Sequence, residues 1–329
     1  MTTRAKILTC VGAFLCVAAA NVSLKPFILP EARVTIRMVN ETGGPVAGAD
    51  VEMFFNNEIT HDPIRFHGET DGDGKVTAQG GLGASGVLGM KITKPGYYMG
   101  VAPVPHFREV VDNKWQPWDG MYEGVFRKIG SSIPMYSKKV VVDIPVTDQA
   151  CGFDLMKGDW VAPYGKGLVS DLLVTYKRLR MVSRFDFDVS ARISFPNLKD
   201  GIQETTLPPE FARSAFVWPR IAPELGYQPG LDVRYAWLPD DQGQKVIRTF
   251  DDKQAYFFRV RTSDRDGKII SALYGKIRGG IVIDPHDVKL GQLVFLYYLN
   301  PTPLDRNMEF DLDRNLLTDL SQPERPREP

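Results

Sequence analysis

The sequence predicts an all-β protein, an N-terminal β-sandwich followed by a second sandwich or β-rich unit, and three observations carry that prediction. Apolar and polar residues alternate with period two in many short runs, turn formers separate those runs, and helical periodicity is nearly absent. The clearest run is 185–195, where every odd position from Phe185 to Phe195 is apolar and every even one polar. Such a run is a strand with one face on a core and the other in water. Shorter runs recur at 34–39, 87–92, 138–146, 172–176, 256–261, 269–277 and 293–299. Between them lie Gly43-Gly44-Pro45, Asp71-Gly72-Asp73-Gly74 and Asp264-Arg265-Asp266-Gly267, the last reading as a hairpin turn. Only 208–215 offers a helix, of two turns, with Pro209 early enough to be tolerated.

At the N-terminus, Arg4 and Lys6 precede an uncharged, mostly apolar run over 7–20 that ends in Ala18-Ala19-Ala20. A basic start, a short apolar core and small residues at the cleavage positions define a secretory signal peptide. Residues 1–20 are therefore expected to leave, with a mature chain beginning at Asn21 in the periplasm or outside the cell. The apolar run falls short of the roughly 20 residues that a bilayer span requires, so no membrane span is expected after cleavage. Neither Cys10, after Thr9, nor Cys16, after Leu15, has the small preceding residue of a lipidated cysteine.

Loss of Arg4 and Lys6 turns a balance of 40 basic and 40 acidic residues into 38 against 40. So neutral a chain gives no footprint for nucleic acid or for an anionic membrane surface. Cys151 remains as the single cysteine. It forms no intrachain disulfide, and it lacks the neighbouring His that would activate a thiol nucleophile. Residues 319–329, rich in proline and charge, are expected to be disordered.

In the first half, Gly44-Pro45-Val46-Ala47-Gly48-Ala49-Asp50-Val51 is followed by Thr70-Asp71-Gly72-Asp73-Gly74-Lys75-Val76 and by Lys94-Pro95-Gly96-Tyr97. Over about 31–105 this resembles the carboxypeptidase regulatory-like domain, a transthyretin-like β-sandwich of exported bacterial proteins. The resemblance implies a sandwich over 21–146 without catalytic residues. Residues 147–318, with Gly158-Asp159-Trp160-Val161 and Tyr297-Tyr298-Leu299-Asn300-Pro301, are similar to regions of uncharacterised secreted bacterial proteins, and that likeness implies no activity.

The candidate ligand-binding residues are aromatic. Trp115 and Trp118 flank Gln116-Pro117 in a loop closed by Asp119-Gly120, and Asp159-Trp160 opens a second glycine-rich loop through Gly167. Flat aromatic faces beside carboxylates and amides suit a sugar, whereas the same aromatics also plug the ends of sandwiches. The expected partner is a glycan or a cell-surface protein, and no cofactor is implied. The alternative is a glycan-active hydrolase or lyase with its acid and base among Asp154, Asp159, Asp171 and Glu309, two of them across a cleft. The four histidines lack metal-ligand spacing, and Asp71-Gly72-Asp73 and Asp311-Leu312-Asp313 lack the Gly and Glu of an EF-hand loop. If extended, 308–313 would put Glu309, Asp311 and Asp313 on one face, opposite Met308, Phe310 and Leu312.

Overall fold

Alternation of apolar residues builds two β-sandwiches in the computed structural model, which describes residues 29–83, 86–241, 243–286 and 290–329. The expected signal segment 1–20 lies outside the described residues. The first sandwich contains β1 (Glu31–Asn40), β2 (Asp50–Phe55), β3 (Ile64–Glu69), β4 (Lys75–Gly81), β5 (Val87–Thr93), β6 (Glu109–Val111), β7 (Lys114–Gln116) and β8 (Gly120–Phe126). One sheet is centred on β1, antiparallel to β4 and parallel to β7 and β8, with β6 beyond β7; the other has the order β3-β2-β5. Alternate residues Ala32, Val34, Ile36 and Met38 of β1 face Val51, Met53 and Phe55 of β2 in one core. Asp71-Gly72-Asp73-Gly74 is a plain turn: the Asp71 carboxylate accepts the amides of Asp73 and Lys75, both at 2.9 Å. Gly74 has φ +73°, and a Cβ there would meet the Met38 carbonyl oxygen at 2.4 Å, so glycine is required.

The second sandwich pairs two six-stranded sheets. One has the order β11-β10-β12-β13-β15-β16, from β10 (Ala150–Asp154), β11 (Asp159–Trp160), β12 (Leu172–Ser183), β13 (Asp186–Ser194), β15 (Gly230–Asp240) and β16 (Gly243–Arg248). The other has the order β14-β17-β18-β19-β9-β20, from β9 (Ile133–Asp143), β14 (Gly201–Glu204), β17 (Ala255–Arg265), β18 (Lys268–Asp284), β19 (Gln292–Leu299) and β20 (Phe310–Asn315). Phe187, Val189, Ala191 and Ile193 of β13 enter its core as the alternation requires. The predicted hairpin at 264–267 closes β17 onto β18 through Asp266 (φ 52°) and Gly267 (φ 80°), the pair of positive φ angles a two-residue turn needs.

Four expectations change. Strand β9, assigned to the first unit by the 21–146 boundary, pairs with β19 and sends Val140 into the second core, so the division falls before Ile133. The two-turn helix over 208–215 is a single 3-10 turn, Pro209–Arg213, ended by extended backbone at Ser214. The acidic strand loses its alternation: Glu309 is buried beside Met308 and Phe310, whereas Leu312 is 44 % exposed. The tail is held rather than disordered. Glu324 pairs with Lys138 at 2.8 Å, and the Tyr298 hydroxyl donates to the Glu328 carbonyl at 3.0 Å.

A third, smaller core joins the two sandwiches. The segment 205–228 crosses to the first unit, where Ala215 donates its amide to the Met99 carbonyl and Phe216 stacks on Tyr98 at 4.9 Å. Arg127 donates to the Phe216 and Trp218 carbonyls and to Glu41, and Arg220 bonds both Glu41 and Glu309. Burial pushes the Glu41 carboxyl up, but the two guanidiniums outweigh it and the net shift is downward. Beneath them Lys276 is fully buried, its Nζ 2.8 Å from the Met308 carbonyl and within 5.2 Å of the rings of Phe216, Trp218 and Tyr298. Burial holds its amine well below the usual lysine range.

Candidate functional site

The candidate aromatics divide between the two sandwiches. Trp115 lies on β7, packs against the first core, meets Phe107 at 6.0 Å between ring centres, and donates its indole N–H to the Leu82 carbonyl at 2.8 Å. Trp118 is half-buried, with the Lys114 ammonium 4.9 Å from its ring centre. Trp160, expected at a ligand surface, is instead a core residue, only 4 % exposed. Its indole N–H reaches the Asp143 carbonyl at 2.9 Å and its ring meets Phe153 edge-on at 5.4 Å. A ring packed on both faces has none to offer a sugar.

The candidate carboxylates are already engaged. Asp159 accepts the amides of Trp160 and Lys166 at 2.8 and 2.9 Å, shaping its own loop. Asp154, at the end of β10, accepts four amides, from Met156, Lys157, Leu168 and Val169, at 2.9–3.3 Å. Arg261 crosses from β17 on the facing sheet to bind Asp154 at 3.0 Å and Asp171 through two nitrogens at 2.7 and 2.9 Å. A β-bulge and a φ of 54° aim it there. Burial pushes the Asp171 carboxyl upward, and the opposing pull of Arg261 only partly compensates. Glu309 lies apart, in the joint between the sandwiches, paired with Arg220 and accepting the Ser131 amide at 2.7 Å. The cluster clamps one sheet to the other, with its acceptor positions occupied by protein donors. The lone Cys151 is equally quiet: it is buried on β10, and burial pushes its thiol up.

A cavity of about 700 Å³ borders Asp154, Asp159 and Arg261, and an aromatic-edged one lies at the end of the second sandwich, where sequence patterning read only Phe185 and Phe187, as strand. The latter cavity, of about 610 Å³, is lined by Arg178 and 181–185 of the β12–β13 hairpin, Phe187, Trp237 of β15, Asp284 at the end of β18, and Pro285 and His286 after it. Phe185 meets Trp237 edge-on at 5.1 Å, and the Arg184 guanidinium lies 4.8 Å from the Phe185 ring centre. Gln244 on β16 accepts the Trp237 indole N–H at 2.6 Å and fixes the ring. His286 places Nδ1 2.7 Å from Asp284 Oδ1 and Nε2 3.0 Å from the Arg184 carbonyl, and its ring stands edge-on to Phe187 at 5.0 Å. The loop after β18 is thereby tied to the hairpin on the opposite sheet. An aromatic corner edged by guanidinium, imidazole and carboxylate can bind a polar ring-shaped ligand by stacking and hydrogen bonds. Among the described residues, no group of three or more His, Cys, Asp or Glu is placed to hold a metal ion.

No protein-family model matches the chain, and no curated protein matches its sequence.

Proposed function

We propose that this chain is an exported, non-catalytic binding module of the cell envelope, and that it holds a carbohydrate in the cavity edged by Phe185 and Trp237. The first sandwich, with its likeness to carboxypeptidase regulatory-like domains, serves as the platform. The signal-like segment over 1–20 supports export. The observation that carries the binding reading is the aromatic corner at a sandwich end, with Trp237 fixed by Gln244 and with Arg184, His286 and Asp284 beside it. Loops at the end of a rigid β scaffold commonly carry binding residues. The non-catalytic reading is favoured by the engagement of Asp154, Asp159, Asp171 and Glu309 with amides and guanidiniums, because an acid–base pair needs carboxyls facing substrate.

A screen of the purified protein on a glycan array, followed by tryptophan-fluorescence titration with each hit, tests the proposal. Trp237→Ala should weaken binding by about tenfold, the loss expected of one stacking aromatic, in a protein that still folds and melts cooperatively although the half-buried ring's packing is lost. An array without hits, or unchanged affinity in Trp237→Ala, would refute the pocket. Steady release of reducing sugar, abolished by Asp159→Asn, would replace the binding module with the hydrolase.

A further inference from the structure

We infer that the β12–β13 hairpin is a docking tip that seats on an anionic phospholipid surface. Its apolar residues stay largely exposed: Leu179 is 60 % exposed, Val182 67 %, and Phe185 43 % even where it meets Trp237. The first two sit at β-bulges. Pairing steps from Arg178↔Val189 to Arg180↔Asp188 and from Met181↔Phe187 to Ser183↔Asp186, which leaves Leu179 and Val182 as the extra residues. Leu179 keeps the outward parity of Thr175 and Lys177, with Arg180 added beside it by the first bulge, and the second bulge sets Val182 outside the ladder. Phe185 occupies the turn itself.

The hairpin segment itself carries charge of one sign, and Asp284 beside it is paired with His286. Residues 177–185 hold Lys177, Arg178, Arg180 and Arg184 and no acid. The acids that follow are paired, Asp186 with Arg180 and Asp188 with Arg234. Exposed Asp240 and Asp241 at the β15–β16 turn mark the limit of the basic surface. The near-neutral composition of the whole chain conceals this local excess.

The backbone is also suited to an interface. Pairing of β10 with β12 stops at Ala150↔Thr175, so the hairpin projects beyond its neighbour on that side, while its own ladder continues to Ser183↔Asp186. Polar backbone groups of an inserted tip must be satisfied within the tip, and a closed hairpin satisfies most of them. Charge and geometry favour lipid over a protein mate. Arg180 is committed to Asp186 and Arg184 lies on the Phe185 ring, so the tip offers a positive field and protruding apolar groups rather than directed donors. A fluid anionic surface meets those demands without fixed partners. The inference does not depend on what the neighbouring cavity binds.

Sedimentation of the purified full chain with vesicles of phosphatidylcholine, with and without phosphatidylglycerol, tests it. The protein should pellet with the phosphatidylglycerol vesicles and stay in solution with the others, and high salt should release it. Leu179→Ser/Val182→Ser should lower the partition coefficient by about tenfold or more, from the loss of two inserted aliphatic groups, with an unchanged melting curve. Trp237→Ala, outside the hairpin, should pellet like the wild type even if it loses sugar binding. Wild-type protein that stays in solution with both vesicles, or binds both equally, would overturn the inference. So would a double variant that pellets as well as the wild type.

Discussion

Replacing Arg261 by Met tests whether the Asp154–Arg261–Asp171 cluster clamps the two sheets of the second sandwich. The substitution keeps the length and apolar body of the side chain and deletes three charge-assisted hydrogen bonds, at 2.7, 2.9 and 3.0 Å. The two acids differ in what remains to them. Asp154 keeps four amide donors, whereas Asp171 keeps only the Leu155 amide at 2.8 Å. The cost therefore falls on Asp171, whose side chain is fully buried while that of Arg261 is about a quarter exposed. Leaving one member of a buried pair uncompensated costs about 3–5 kcal/mol, and the partial exposure of Arg261 favours the lower end, about 3 kcal/mol. At about 2–4 °C per kcal/mol for a unit of this size, its melting transition should fall by about 6–12 °C near neutral pH. An acid whose folded-state pKa is raised stabilises the fold below its unfolded value, and that contribution is lost as pH rises. Removing Arg261 extends the upward push on Asp171, so the deficit should shrink as the medium is acidified toward about pH 4. The double variant Arg261→Met/Asp171→Asn should recover most of the loss at neutral pH. Calorimetry of the three proteins measures all of this. A shift below about 2 °C at neutral pH, under a third of the smallest value expected, or a double variant no better than the single, would refute the clamp.

Two further outcomes follow from the same packing. Phe187→Asp places a charge where the ring is fully buried and should unfold the second sandwich, whereas Asp188→Asn, which weakens a solvent-edged pair with Arg234, should cost less than about 1 kcal/mol by denaturant titration. Hydrogen bonding to Lys138, then to the Ser321 side chain and amide, holds the Glu324 carboxyl down at about 2. Its stabilising contribution is present above the ordinary value of 4.5 and is lost as pH falls from there toward 2, so amide protection factors over 321–328, corrected for the intrinsic exchange rate, should fall in that window and hold above it.

Period-two patterning is legible wherever a sheet has one dry face, and for that reason β1 and β13 lie where alternation puts them, whereas β17, with a core on each face, is an apolar run. Patterning does not say which partner a strand will find. Strand β9 reads the same in either sandwich, and only pairing such as Val142↔Leu293, from the far end of the chain, assigns it to the second. The site was harder to read. Trp160 sits in a glycine-rich loop that looks suited to a ligand, yet the Asp143 carbonyl, from another strand, draws its indole inward. Asp154 and Asp171 resemble an acid pair until Arg261 arrives from the facing sheet. The tail, lacking an apolar run, is fixed by ion pairs and carbonyl contacts that composition does not reveal. Trp237 left one usable trace, its odd place after Leu231, Val233 and Tyr235, which alternate with Asp232 and Arg234.

The crossing segment 205–228 makes the boundary in sequence different from the boundary in space. A gene cut before Ile133 would sever the chain at the right residue and still leave Tyr98 without Phe216, and Glu41 without Arg220. The first sandwich would then display an apolar scar, and the second would carry a loose strap ending in Trp218. Such a protein cannot be shuffled module by module; duplication, fusion or transfer to another architecture has to move both sandwiches as one cassette.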